Sequence, residues 1–286
     1  MNLPDLTNAN NWIAVAAFLA LVLSQFPPVL PQVLARFRGS TVLLSSQDSL
    51  ALTHHLGRIY LLLHVQIENT GLAPVAISKV DCVLRRIATG ESMPTRTVWR
   101  LPARTFYSES STTFSGEGPP RLFIGTIHLK PGENWKEVVH CYGSRSSEDE
   151  EEAQKIQDRF ASHIARELQE RRASGTDDQR LIEVPDELVS EARKFMERMF
   201  DLTRGEYELY IAALDRYGKA ISATKVKFIV YENTINVLRS IVEDYAYGFG
   251  VSAGSSPYKR THVEPQLSLV GSGQTVLREY NDISAY

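Results

Sequence analysis

The sequence predicts a mainly β protein, an antiparallel β-sandwich with an inserted α-helical hairpin, preceded by an N-terminal transmembrane helix. Three observations predict this class. An uncharged apolar stretch opens the 286-residue chain, alternating strand patterns fill most of the remaining sequence, and two amphipathic helical patterns interrupt the strands. We assign residues 1–39 to a membrane anchor, 40–146 and 203–247 to the β-domain, 147–202 to the hairpin, and 248–286 to a loosely ordered tail.

The anchor prediction depends on residues 12–35, which contain no ionisable side chain. A helix needs roughly 20 apolar residues to cross a bilayer core, and Pro27, Pro28 and Pro31 should kink the second half of this one. A signal peptide would need a basic start, and an interfacial helix would need a charged face. A buried helix of a soluble domain stays open as an alternative. The anchor residues are Trp12, Phe18, Leu21, Leu23, Phe26, Arg36 and Arg38.

The charges that flank the anchor predict its orientation. Arg36 and Arg38 follow it, whereas no Lys or Arg precedes it. The positive-inside rule therefore places the N-terminus outside and the main domain in the cytoplasm, on a single-pass protein of the inner or cell membrane. Cys82 and Cys141 are the only cysteines, and we expect both to be reduced and buried. A disulfide across the sandwich is the alternative if the orientation is reversed.

Alternating side chains predict the strands. Residues 58–68 alternate apolar and polar positions, as in a sheet with one wet face, and Asn69-Thr70-Gly71 then turns the chain. The next strand is predicted at residues 74–86. The other predicted strands cover residues 41–45, 50–53, 95–101, 121–129, 135–142, 206–214 and 220–231.

Three short strings resemble the strand and turn patterns of bacterial immunoglobulin-like β-sandwich domains. They are VQIENTGLAPVAISKV from Val65, LKPGE from Leu129, and the L-x-x-G-x-Y-x-L pattern from Leu202. The resemblance implies an antiparallel immunoglobulin-like sandwich. It also implies that Tyr207 has a structural role, as the tyrosine of a corner that ties a loop to the sheet.

The helical hairpin is predicted from apolar residues at helical spacing. The first helix carries them at Ala153, Ile156, Phe160, Ile164 and Leu168, and a second helix begins near Asp186. A short helix is predicted later, at residues 234–245. The hairpin either covers the sheet or docks a partner, and the candidate partner-binding residues are Arg159, Arg166 and Arg171, with Tyr258, Lys259 and Arg260 in the tail.

Catalytic and cofactor patterns are weak in this sequence. Residues 250–254 match the G-x-S-x-G hydrolase pattern around Ser252, but a predicted helix precedes them, and His262 and Asp282 follow in the reverse of the hydrolase order. The seven histidines show no metal-binding spacing, and no phosphate-binding glycine loop is present. The net charge of −3 gives no reason to expect nucleic acid. We therefore expect no cofactor, metal or nucleic acid.

The function predicted from these observations is a non-catalytic, membrane-tethered interaction module, a subunit of a larger membrane-associated assembly. Its expected partners are membrane lipid and a second protein or further copies of itself. The alternative is an oligomerising effector that perturbs the bilayer, and a serine hydrolase centred on Ser252 is a weaker hypothesis.

Overall fold

The computed structural model describes residues 41–87, 98–107, 121–175, 181–251 and 262–284. Within these ranges the chain forms twelve strands, four α-helices and one 3-10 helix, so the predicted mainly β, antiparallel class is confirmed. The predicted anchor lies outside the described ranges. No helix inside them combines the length and the apolar character that a membrane crossing requires.

The strands are β1 (Val42–His55), β2 (Arg58–Asn69), β3 (Val75–Ile77), β4 (Lys79–Arg86), β5 (Val98–Arg100), β6 (Ala103–Tyr107), β7 (Arg121–Phe123), β8 (Ile127–Leu129), β9 (Asn134–Tyr142), β10 (Gly205–Leu214), β11 (Ala220–Val230) and β12 (Ser268–Ser272). The helices are α1 (Ser147–Ala173), α2 (Asp186–Met199), α3 (Glu232–Ser240), the 3-10 helix (Ile241–Tyr247) and α4 (Gln274–Ser284).

The strands form two five-stranded sheets and one two-stranded ribbon. The first sheet has the order β1-β2-β9-β6-β7, the second has the order β12-β11-β10-β4-β5, and β3 pairs with β8. All of these strand pairs are antiparallel. Burial alternates residue by residue along β2, as its sequence predicts. The inward side chains of both sheets contribute to one shared hydrophobic core.

Three predicted strand boundaries are wrong. The predicted strands at residues 41–45 and 50–53 form one strand, β1, which begins at Val42 and whose register shifts between Ser46 and Leu50. The predicted strand 74–86 divides at Ser78, whose amide donates to the carbonyl of Leu214 at 2.9 Å as the chain enters the second sheet. Residues 121–129 likewise divide into β7 and β8, which pair with different strands. Side-chain alternation predicts extended backbone but does not show which sheet a strand joins.

The tail prediction is wrong for residues 262–284. Strand β12 pairs with β11, and α4 buries Val276, Tyr280 and Ile283 against the outer face of the second sheet. The Tyr280 hydroxyl donates to Asp81, which is fully buried, at 2.8 Å. Val276, Tyr280 and Ile283 are spaced so that they lie on one face of a helix. The glycines and serines that precede them led to the prediction of a loosely ordered tail.

Tyr207 makes the contact that a tyrosine corner requires. Its side chain is fully buried, and its hydroxyl donates to the carbonyl of Thr203 at 2.7 Å while accepting from the Thr203 amide at 3.3 Å. This bond fixes the loop that leads from the hairpin into β10.

We expect Tyr207→Phe to lower the free energy of unfolding by about 1.5 kcal/mol, because the partly buried amide and carbonyl of Thr203 lose their partner. Urea unfolding of the full chain in detergent measures the loss. Tyr217→Phe is the matched control, since Tyr217 is exposed. Equal stability of the two variants would contradict this role.

Candidate functional site

The helical hairpin is fixed to the β-domain at the first half of α1. Ala153, Ile156 and Phe160 are buried there, whereas Leu168 further along is 42% exposed. The buried face is therefore shorter than the predicted stripe. Arg58 of β2 pairs with Glu150 at 3.0 Å. These contacts hold the start of the hairpin rigidly against the domain.

The arginines predicted to bind a partner have contacts within the hairpin. Arg159 pairs with Glu191 of α2, and Arg171 donates to the carbonyl of Leu181 at 3.3 Å. Arg166 is 62% exposed and lies 3.5 Å from Glu167 on its own helix. Arg159 and Arg171 thus hold the hairpin together, while Arg166 remains accessible on its surface. Tyr258, Lys259, Arg260 and Ser252 lie outside the described residues.

A surface cleft of about 490 Å³ lies between α2 and the segment formed by α3 and the 3-10 helix. Its apolar residues are Met196, Phe200 and Val242. Each wall carries one arginine and one glutamate four residues apart, and all four charged side chains are exposed. The charged residues are Arg193 and Glu197 on α2, with Arg239 and Glu243 on the opposite wall.

Contacts at the two ends of α2 show the relative direction of the two walls. The amide of Val184, just before α2, donates to the carbonyl of Ala246 at 2.7 Å. At the other end of α2, the ring of Phe200 lies 5.1 Å from the ring of His54, whose Nε2 contacts the Leu238 carbonyl at 2.8 Å. The walls therefore run in opposite directions, which places Arg193 toward the Glu243 end and Glu197 toward the Arg239 end.

Two histidines of β1, the buried His54 and the half-buried His55, contact the segments next to the cleft. The Gly57 amide donates to His54 Nδ1 at 3.2 Å, so Nε2 carries the proton that His54 gives to Leu238. His55 Nε2 contacts the Val251 carbonyl at 3.0 Å. Burial lowers the pKa of each histidine from 6.5 to about 4, so both are neutral at pH 7.

Arg145 links these histidines to the hairpin. It donates to the carbonyls of His55 and Leu56 at 2.7 and 2.9 Å, and its guanidinium lies over the ring of Phe195 on α2. Burial lowers its pKa to about 10, which leaves it charged at pH 7. The half-buried Arg145 guanidinium therefore joins the turn between β1 and β2 to helix α2.

The cleft offers complementary contacts to an amphipathic segment. Its arginines can donate to carboxylates, its glutamates can accept from lysine or arginine, and its apolar residues can pack against aliphatic side chains. None of the residues that line the cleft, Arg193 and Arg239 included, was predicted from the sequence as a binding residue. The Arg-x-x-x-Glu spacing on both walls was the available signal. Within the described ranges, no group of three residues suited to metal binding is present.

Comparison with known proteins gives no family assignment. No protein-family model matches the chain, and no curated protein matches it.

Proposed function

We propose that this protein is a non-catalytic, membrane-tethered interaction module, a subunit of a larger membrane-associated assembly, and that the cleft between α2 and the α3/3-10 segment docks its partner. The observation that carries the proposal is an open cleft with an apolar base and two walls of mixed charge, mounted on rigid elements. Such a surface matches the groove that receives an amphipathic helix in many complexes.

The partner segment that fits this cleft is an amphipathic helix of another protein. Its apolar residues at spacings of three and four would pack on Met196, Phe200 and Val242. Charges of both signs on either side of that stripe would pair with the walls, as flanking charges do in coiled coils. A purely acidic or purely basic segment would meet repulsion from one residue of each wall.

We infer that the two sheets form an immunoglobulin-like sandwich that serves as the scaffold. Antiparallel pairing throughout, the shared core and the bond between Tyr207 and Thr203 support this inference. The proposed tether rests on the uncharged residues 12–35, and Arg36 and Arg38 support a cytoplasmic location for the scaffold.

Charge reversal on the cleft walls tests the docking proposal. We expect Arg193→Glu combined with Arg239→Glu to weaken partner capture from detergent-solubilised membranes by about tenfold or more, because each wall becomes uniformly acidic. The melting temperature should change little, since both arginines are exposed. The measurement is the amount of co-purified partner per mole of full-length protein.

Two further variants show which surface of the protein the partner contacts. Lys194→Glu reverses one charge, as each of the two cleft substitutions does, but on the exposed side of α2 outside the cleft, and it should leave capture unchanged. Arg166→Glu tests whether the partner docks on the exposed surface of the helical hairpin instead. Undiminished capture by the cleft variant would reject the cleft, and loss with Arg166→Glu alone would move docking to the hairpin.

A further inference from the structure

Two thiols from opposite sheets meet in the core. Cys82 lies in β4, opposite Ile211 of β10, and Cys141 lies in β9, opposite Leu61 of β2. Both side chains are fully buried, and their sulfur atoms are 3.3 Å apart. Both cysteines are free thiols. The pair is therefore the one point where a single covalent bond between cysteines could join the two sheets, since the chain has only two cysteines.

We propose that Cys82 and Cys141 are a covalent modification site, which closes into an inter-sheet disulfide when the domain folds in an oxidising environment and stays a dithiol when it folds in a reducing one. A disulfide has an S–S length of about 2.05 Å, so the two sulfur atoms must approach by about 1.2 Å. Rotation of the two side chains supplies a movement of that size. The thiol pair is independent of the docking cleft.

The bond forms by two exchange steps with a small disulfide such as oxidised glutathione. One cysteine thiolate attacks the glutathione disulfide, which gives a mixed disulfide and releases one glutathione thiolate. The second cysteine thiolate then attacks the protein sulfur of that mixed disulfide and releases the second glutathione. Two electrons pass from the protein to glutathione, and the two cysteine protons end on the two released thiols.

The folded domain protects the pair from this reaction. The hydrogen bond with Cys141 and burial raise the pKa of the Cys82 thiol well above its usual range, so little Cys82 thiolate exists in the native state. A glutathione adduct has no room beside side chains that are fully buried. The exchange must therefore occur before the two sheets close, and the redox state of the pair records the compartment in which the domain folded.

Refolding of the full-length protein tests this inference. The chain is unfolded in urea with detergent and refolded with either oxidised or reduced glutathione. We expect the oxidised preparation to be about 2 Da lighter, to resist alkylation after denaturation, and to melt about 10 °C higher, because a long loop is closed in its unfolded state.

Cys141→Ala is the control, and its melting temperature should be the same in both buffers. Unchanged mass of the wild-type chain after oxidative refolding would overturn the inference without reference to any variant. A disulfide form that melts below the dithiol form would also overturn it, because the bond would then strain the core. Native dithiol protein exposed to oxidised glutathione should remain unreacted for hours, and rapid oxidation would contradict the protected state.

Discussion

Gly57→Ala is expected to destabilise the protein by about 3 kcal/mol or more and to weaken partner capture. Gly57 has a φ of +79° in the two-residue turn between β1 and β2. A Cβ atom there would lie 2.7 Å from both the Met196 carbonyl and the Met199 Cβ, and 2.9 Å from the Phe200 amide. Backbone strain and steric overlap at the end of α2 therefore add. Urea unfolding and partner capture measure the two effects.

The variant Gly132→Ala measures the cost of backbone strain alone, without the steric overlap that an added Cβ makes at Gly57. Gly132 has a similar φ of +77°, but no atom lies within 4 Å of an added Cβ. We expect this variant to lose only about 1 kcal/mol, the cost of a left-handed conformation in a residue with a Cβ. Its partner capture should match the wild type. Equal losses in the two variants would show that α2 does not pack on the turn.

Acidification between pH 6.5 and 4 is expected to destabilise the domain through His54 and His55. Their folded pKa of about 4 lies below the unfolded value of 6.5, so the unfolded chain binds more protons in this window. The stability they contribute is fully present above pH 6.5 and is lost as the pH falls toward 4. At pH 4.5 the expected loss is about 2.5 kcal/mol for each histidine.

The double variant His54→Gln, His55→Gln provides the comparison, because glutamine retains a side-chain donor and acceptor but does not titrate. Urea unfolding at several pH values gives the free energy for both proteins. The wild type should lose about 5 kcal/mol more than the variant between pH 7 and pH 4.5. Parallel pH profiles would contradict the lowered pKa of the two histidines.

Local patterns in the sequence predicted the elements that bury one face. The alternation along β2 predicted its buried face, and the helical spacing of Ala153, Ile156 and Phe160 predicted the packed half of α1. The predicted strands at residues 206–214 and 220–231 correspond to β10 and β11, which pair antiparallel with one register shift between Ala213 and Leu214. In each of these elements the backbone geometry determines how often a side chain returns to the same face. The sequence of the segment alone is therefore enough to predict which face is buried.

Features that depend on distant segments were not predictable in this way. The cleft exists because α2 lies against the 3-10 helix, a contact that joins residues about 60 positions apart, such as Val184 and Ala246. The contact between the sulfur atoms of Cys82 and Cys141 likewise requires two strands from different sheets. Helix α4 was missed because its stripe is only three residues long and follows a glycine- and serine-rich stretch.

Photo-crosslinking from the base of the cleft tests the docking proposal most directly. A photoreactive residue replaces Val242 in the full-length protein, which is irradiated in its native membrane and analysed by mass spectrometry. Docking in the cleft predicts crosslinks to one partner protein, at a peptide with an amphipathic helical pattern. The same residue placed at Lys194 should give no such product. Crosslinks from position 242 to lipid alone, or none above the Lys194 control, would contradict docking in the cleft.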